Sequence, residues 1–292
     1  MAVGVLSRAE LVEALQRAGV ASGGIVHVQS DLRPIGPVEA GPDHEEILAF
    51  YLDAFLDVLG PAGTLTVCAS FEDYGRYGVP YVRETSPSRV GVFSEYVRTR
   101  PDAVRSLHPI VSVAGVGARA EEICGGAHYD GFGYDSPWGR LERANAVFLG
   151  LGSRIRNSLT FTHYIEKLYG VPYQYTKLFA APVVADGDEV PGPFTMSVRF
   201  LDFSIAYDVQ RFEEALLATR AAVEVPVGRF VLQAGAAHDI VRVGIELLRQ
   251  DRYAFLAQPP VFRPGELPFD GPTGEHRRVY DAPRGHVGTE AT

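Results

Sequence analysis

His163 and Glu166, in the segment Thr160-Phe-Thr-His-Tyr-Ile-Glu166, are spaced to move a proton together. On a helix, positions three apart share a face, so the carboxylate can reach the imidazole. A carboxylate on one ring nitrogen fixes the tautomer and raises the basicity of the other. An imidazole also titrates in the range where a general base works near neutral pH. On spacing alone, a surface histidine beside a solvated glutamate is the simpler reading, because so short a motif has low specificity. A second group lies in Arg105-Ser-Leu-His-Pro-Ile-Val-Ser112. Arg105 can hold a phosphate, and Ser106 and the loop amides can donate to one. The plain alternative is a polar turn leading into a strand. A third group, Ser30-Asp-Leu-Arg33, follows an apolar run and ends at Gly36. Amides at a strand-to-helix corner bind anions, although Asp31 adds a negative charge there. Finally, Tyr164, Tyr169, Tyr173, Tyr175 and Lys177 cluster just past the histidine. Such aromatic walls suit sugars or cations, or simply pack a helix-to-strand corner.

These residues need a scaffold, and the apolar pattern indicates one. Ser7-Arg-Ala-Glu10 fits a capping box, and Leu11, Val12 and Leu15 give the following helix an apolar face to about Arg17. Residues 24–29 read as a buried strand, 43–59 as a helix and 64–70 as a strand. Farther on, 93–99 and 157–169 read as helices, and 109–114 and 144–151 as strands. Ser136 followed by Pro137 marks a helix start. Beyond Gly170, residues 177–184 and 194–203 read as an antiparallel pair attached to the sheet. Residues 209–221 and 236–249 read as amphipathic helices. The expectation is an α/β fold: a single-domain layered sheet covered by helices, with additional antiparallel strands.

Bulk properties narrow the function. The chain has 292 residues and a net charge of -9, which argues against general affinity for nucleic acid. A net-negative surface attracts amines, and it also simply confers solubility. Two cysteines, Cys68 and Cys124, make no disulfide framework and no metal spacing. Cys68 reads as a small buried hydrophobe rather than an acyl-carrying thiol. Gly150-Leu-Gly152 lacks the third glycine of a dinucleotide fingerprint. His163 and Glu166 have no paired histidine at helical spacing, so no metal is expected. No Gly-x-Ser-x-Gly elbow is present. With neither a secretory leader nor an apolar run of spanning length, the expectation is a cytoplasmic protein without nucleic-acid or membrane partners.

Taken in chain order, the segment from Val26 to Gly36, the Arg105-Ser-x-His-Pro element with Ser112, the turn Asp135-Ser-Pro-Trp-Gly139 and Thr160-x-x-His163-x-x-Glu166 resemble one family. It is the aminoglycoside 3-N-acetyltransferases, also called antibiotic N-acetyltransferases. The resemblance covers most of residues 5–255. It implies an acyltransferase domain over 1–257; outside it, prolines recur from Gln258 onward, and a Pro-rich tail over 258–292 with a disordered end is expected. It implies acetyl-CoA as acyl donor and a small amine as acceptor, from an aminoglycoside, an amino sugar or a related natural product. His163 would be the catalytic base, with Glu166 as its orienting partner. Ser30, Leu32, Arg33, Arg105, Ser106, His108 and Ser112 would line the coenzyme A site. Thr160 belongs to the matched motif, and with Tyr164, Tyr173 and Tyr175 it would shape the acceptor site. Two departures concern the acceptor: Leu159 stands where the family commonly has Asn, and Phe161-Thr162 replaces a smaller pair. A catalytically silent homologue and a metal-dependent amide hydrolase are the competing readings, and a homo-oligomer is compatible with either.

Overall fold

The capping box forms as its sequence requires. In the computed structural model, which describes residues 4–263, the Glu10 carboxylate accepts from the Ser7 amide at 2.8 Å and Ser7 Oγ accepts from the Glu10 amide at 3.3 Å. Helix α1 (Arg8–Arg17) begins there. Strand β1 (Ile25–Ser30), helix α2 (His44–Leu59) and strand β2 (Thr64–Cys68) follow. Asp43 caps α2, and Gly60, at φ 62°, ends it. Next come α3 (Glu72–Tyr77), β3 (Tyr81–Val82), α4 (Val92–Arg98), β4 (Val104–Arg105), β5 (Val113–Gly117), α5 (Ala120–Cys124), α6 (Pro137–Arg143) and β6 (Val147–Leu151). The remainder holds α7 (Ile155–Ser158), α8 (Phe161–Tyr169), β7 (Gln174–Phe179), β8 (Val183–Ala185), β9 (Asp188–Glu189), β10 (Phe194–Arg199), α9 (Gln210–Ala218), β11 (Val223–Val227), β12 (Phe230–Ala236) and α10 (Ala237–Gln250).

Seven strands form a mixed sheet in the order β11-β12-β6-β1-β2-β5-β4. Its centre, β6-β1-β2, is parallel, and both flanks are antiparallel. Helices cover both faces, which explains why the central strands read as unbroken apolar runs. Leu149 points to a core that holds Leu11, Leu52 and Phe55. Its neighbour Phe148 points to the opposite core, with Trp138, Phe161 and Ile240. The fold is therefore α/β, with a sheet between two helical layers. No helix among the described residues is long and apolar enough to cross a membrane.

Four expectations are corrected. The strand expected over 109–114 starts only at Val113, because residues 106–112 are held in a loop by side-chain bonds. The helix expected over 157–169 breaks at Leu159, whose ψ of 87° leaves the helical region before α8 starts. The segment expected as one strand over 177–184 splits before Pro182. Strand β7 pairs with β10 in a two-stranded sheet of its own, while β8 joins β3 and β9 in another. The hairpin β11/β12 was not anticipated, although residues 223–236 carry a Gly228 turn at φ 55° between apolar strands. Pro226 fits in β11 because that strand lies at the sheet edge. At the start of the tail, the Val261 amide donates to the Phe203 carbonyl at 3.1 Å, and Phe262 packs on Phe203. The expected disorder of the tail's end concerns residues outside those described.

Candidate active site

Strand β1 has β2 on one side and β6 on the other, both parallel to it. Crevices open at the carboxyl ends of strands where the chain leaves in two directions. A cleft of about 460 Å³ lies there. Cys68 and Ser70 enter it from the end of β2, and Thr160 and His163 from the chain after β6. Phe132 forms one wall, and β7 with β10 form another through Lys177, Phe179, Met196 and Arg199. Burial pushes the Cys68 thiol pKa up, and its sulfur lies 3.0 Å from Ser70 Oγ. That thiol therefore stays protonated and is poorly suited to carry an acyl group.

The break at Leu159 turns α8 so that His163 faces the cleft. Its Nδ1 lies 2.8 Å from Glu166 Oε2. Because the carboxylate is an acceptor, Nδ1 carries the proton and Nε2 presents a lone pair. Phe132 and Tyr207 flank the ring, with centroids 5.9 and 5.1 Å away. At the head of α8, Thr160 Oγ1 accepts from Gln29 Nε2 of β1 at 2.9 Å. Its own hydroxyl proton remains available to the cleft.

Glu166 is wholly buried. A buried carboxylate needs donors, and it has them. Tyr173 donates to Oε1 at 2.7 Å, while Gln174 at 2.6 Å and Tyr207 at 3.2 Å donate to Oε2. Burial, and then the Glu166 charge, raise the pKa of both tyrosines well above the ordinary phenol value. Both therefore remain donors. Gln174 and Tyr207 carried no sequence signal: one begins β7, the other lies in the loop before α9, and only the fold brings them to α8. Among the described residues, no group of three His, Cys, Asp or Glu could hold a metal ion.

A family model described as aminoglycoside 3-N-acetyltransferase matches residues 25–249. The chain belongs to that family. A relative, aminoglycoside N(3)-acetyltransferase III of Pseudomonas aeruginosa, is 26% identical over 83% of this chain and 93% of its own length. The crystal structure of the aminoglycoside acetyltransferase AAC(3)-IVa apoenzyme superposes with a TM-score of 0.71 at 26% identity, covering 88% of this chain and 94% of that one. AAC-IIIb, solved as a binary complex with CoASH, shares the fold at a TM-score of 0.71 and 23% identity, over 88% of this chain and 100% of its own.

As a member of the aminoglycoside 3-N-acetyltransferase family, the chain is an N-acetyltransferase. The residues expected to line a coenzyme A site fall into two places. Ser30, Leu32 and Arg33 sit at the end of β1, beside the cleft. Arg33 is exposed and paired with Asp31 at 3.0 Å, so the negative charge of that loop is already matched. Gly152, at φ 72°, lets the end of β6 pass this loop, since a Cβ there would lie 1.8 Å from the Asp31 carbonyl. Arg105, Ser106, His108 and Ser112 are instead all buried. Arg105 donates to the carbonyls of Ala69 and Ser86, each at 2.5 Å, and of Arg83 at 3.0 Å, and lies over the Tyr81 ring. Ser112 donates to Ala69 O at 2.6 Å, and Ser106 Oγ accepts from the Val113 amide at 2.9 Å. His108 Nε2 lies 3.0 Å from the Thr195 carbonyl, and burial lowers its pKa to about 3. These four groups brace the loop that shapes the cleft, and a phosphate would have to displace their partners.

The tyrosines are also redistributed. Tyr164 is buried and stacks on Phe161, on the core side of α8, away from the cleft lining. Tyr173 serves Glu166 from beneath, and Tyr175 stacks on Phe200 outside the cleft lining. Of the expected acceptor residues, Thr160 lines the cleft.

Proposed function

We propose that this protein transfers the acetyl group of acetyl-CoA to an amine of an aminoglycoside, amino sugar or related natural product, with His163 as general base. The observation that carries this reading is the His163–Glu166 pair, with His163 lining the cleft and Nδ1 engaged at 2.8 Å. The amine nitrogen attacks the thioester carbonyl while His163 Nε2 takes its proton. Glu166, held by three further donors, stabilises the imidazolium that forms. The tetrahedral oxyanion needs a donor in the cleft, and the Thr160 hydroxyl is suited because its oxygen already accepts from Gln29. The C–S bond then breaks, the C–N bond remains, and the proton on His163 passes to the leaving thiolate. Coenzyme A and an N-acetylated acceptor are released.

The reading is tested by thiol release from acetyl-CoA with a panel of aminoglycosides and simple amino sugars. His163→Ala should lower kcat by about 10²- to 10⁴-fold, the range of general-base contributions, while acetyl-CoA still binds by calorimetry. Full turnover by that variant ends the assignment.

A further inference from the structure

The charge in the cleft runs against the charge of the chain. The sequence is net -9, yet the described side chains lining the cleft include Arg76 and Arg199 against one carboxylate, Glu72. Glu72 is bound by Arg76 at 2.7 Å, one turn along α3, so these two neutralise each other. Arg199 ends β10 with Nη1 donating to the carbonyls of Ile205 at 3.0 Å and Phe200 at 3.5 Å. Those carbonyls fix the guanidinium without cancelling its charge, and among the described residues no carboxylate pairs with it. Its carbon lies 5.8 Å from the Tyr207 ring centroid, and that ring lies 5.1 Å from His163. A fixed cation thus stands one aromatic ring away from the base.

An aminoglycoside carries several ammonium groups, and binding them beside Arg199 opposes like charges in a partly desolvated site. The phosphates of coenzyme A are a poor match for Arg199, because the whole pantetheine arm separates them from the thioester that must reach His163. An anion on the acceptor has no such problem: it can meet the guanidinium in a two-point contact while its amine meets Nε2. We propose that the acceptor is an amine that also bears an anionic group, a carboxylate or a phosphate, held by Arg199. This rests on the acetyl transfer proposed above.

The test compares acceptors in pairs: β-alanine with propylamine, and glucosamine 6-phosphate with glucosamine, plus tobramycin as the polycation. In acetyl-CoA thiol release, kcat/KM should be at least about tenfold higher for the anionic member of one pair, about 1.4 kcal/mol. Which pair responds tells carboxylate from phosphate. The preference should shrink with added salt. Arg199→Gln should abolish it by loss on the anionic member, with the KM for acetyl-CoA unchanged, and Arg199→Lys should restore part of it. Turnover of the neutral members or tobramycin at equal or higher kcat/KM overturns the proposal. So does an Arg199→Gln variant that raises the acetyl-CoA KM and keeps the preference. If no acceptor releases thiol, the transfer reading fails separately, and calorimetry of the same pairs with coenzyme A present decides. Tighter binding of an anionic member, lost in Arg199→Gln, supports the anion site, and equal binding overturns it.

Discussion

Glu166→Gln keeps the shape of a buried side chain and removes its charge. A glutamine carbonyl at the Oε2 position still accepts from His163 at 2.8 Å, Gln174 at 2.6 Å and Tyr207 at 3.2 Å. Its amide nitrogen at the Oε1 position can donate to the Tyr173 oxygen, now 2.7 Å away, once that hydroxyl turns. The tautomer of His163 is therefore preserved, and the imidazolium of the transition state loses an anionic partner. A hydrogen bond to a charged group contributes about 1.5–3 kcal/mol, against about 0.5–1.5 for a neutral one. The difference, about 1–2 kcal/mol, corresponds to roughly a 5- to 30-fold fall in kcat. The assay is thiol release at saturating acetyl-CoA with the acceptor varied, alongside a thermal melt. The expected result is a lower kcat, an unchanged KM for acetyl-CoA and a cooperative melt. Unchanged kcat would refute the reasoning, because the carboxylate would then be only a core polar group. Collapse of the melt together with the activity would show that its charge serves the fold and not the base.

Two further predictions separate scaffold from chemistry. Arg105→Ala leaves the buried carbonyls of Arg83 and Ser86 without their donor and should destabilise the fold by about 2–4 kcal/mol, read by chemical denaturation; a raised acetyl-CoA KM with unchanged stability would instead make Arg105 a coenzyme ligand. The second concerns pH: burial holds His27 and His108 at a pKa of about 3 and His128 at about 4, below the ordinary 6.5. As pH falls below about 6.5, the unfolded chain takes up protons that the folded one refuses, so stability is present above that pH and lost below it. The slope is up to about 1.4 kcal/mol per pH unit for each histidine. Calorimetry should show Tm falling between pH 6.5 and 5, above the range where carboxylates titrate, and a flat Tm would contradict the burial.

Local patterns carried much of the fold because their causes are local. The Ser7 capping box, the Pro137 helix start behind Ser136 and the face shared by His163 and Glu166 depend on residues within one helical turn, and all three form. The family pattern added the order of these pieces, and with it the reaction class. What tertiary structure decided was environment. An arginine over a phosphate and an arginine under three carbonyls have the same spacing in sequence, so only packing could turn Arg105 inward and leave Arg33 outside. The tyrosines illustrate the same limit: one turn of chain direction places Tyr164 in the core and Tyr173 beneath Glu166. Gln174, Tyr207 and Arg199 gather around the His163–Glu166 pair from β7, the loop before α9 and β10, elements whose pairing is non-local. A periodicity reports which face of an element is apolar, but not which distant element will cover it. For that reason the His163–Glu166 pair was legible in the chain, while the residues that hold it, and Arg199 beside the Tyr207 ring, emerged only on folding.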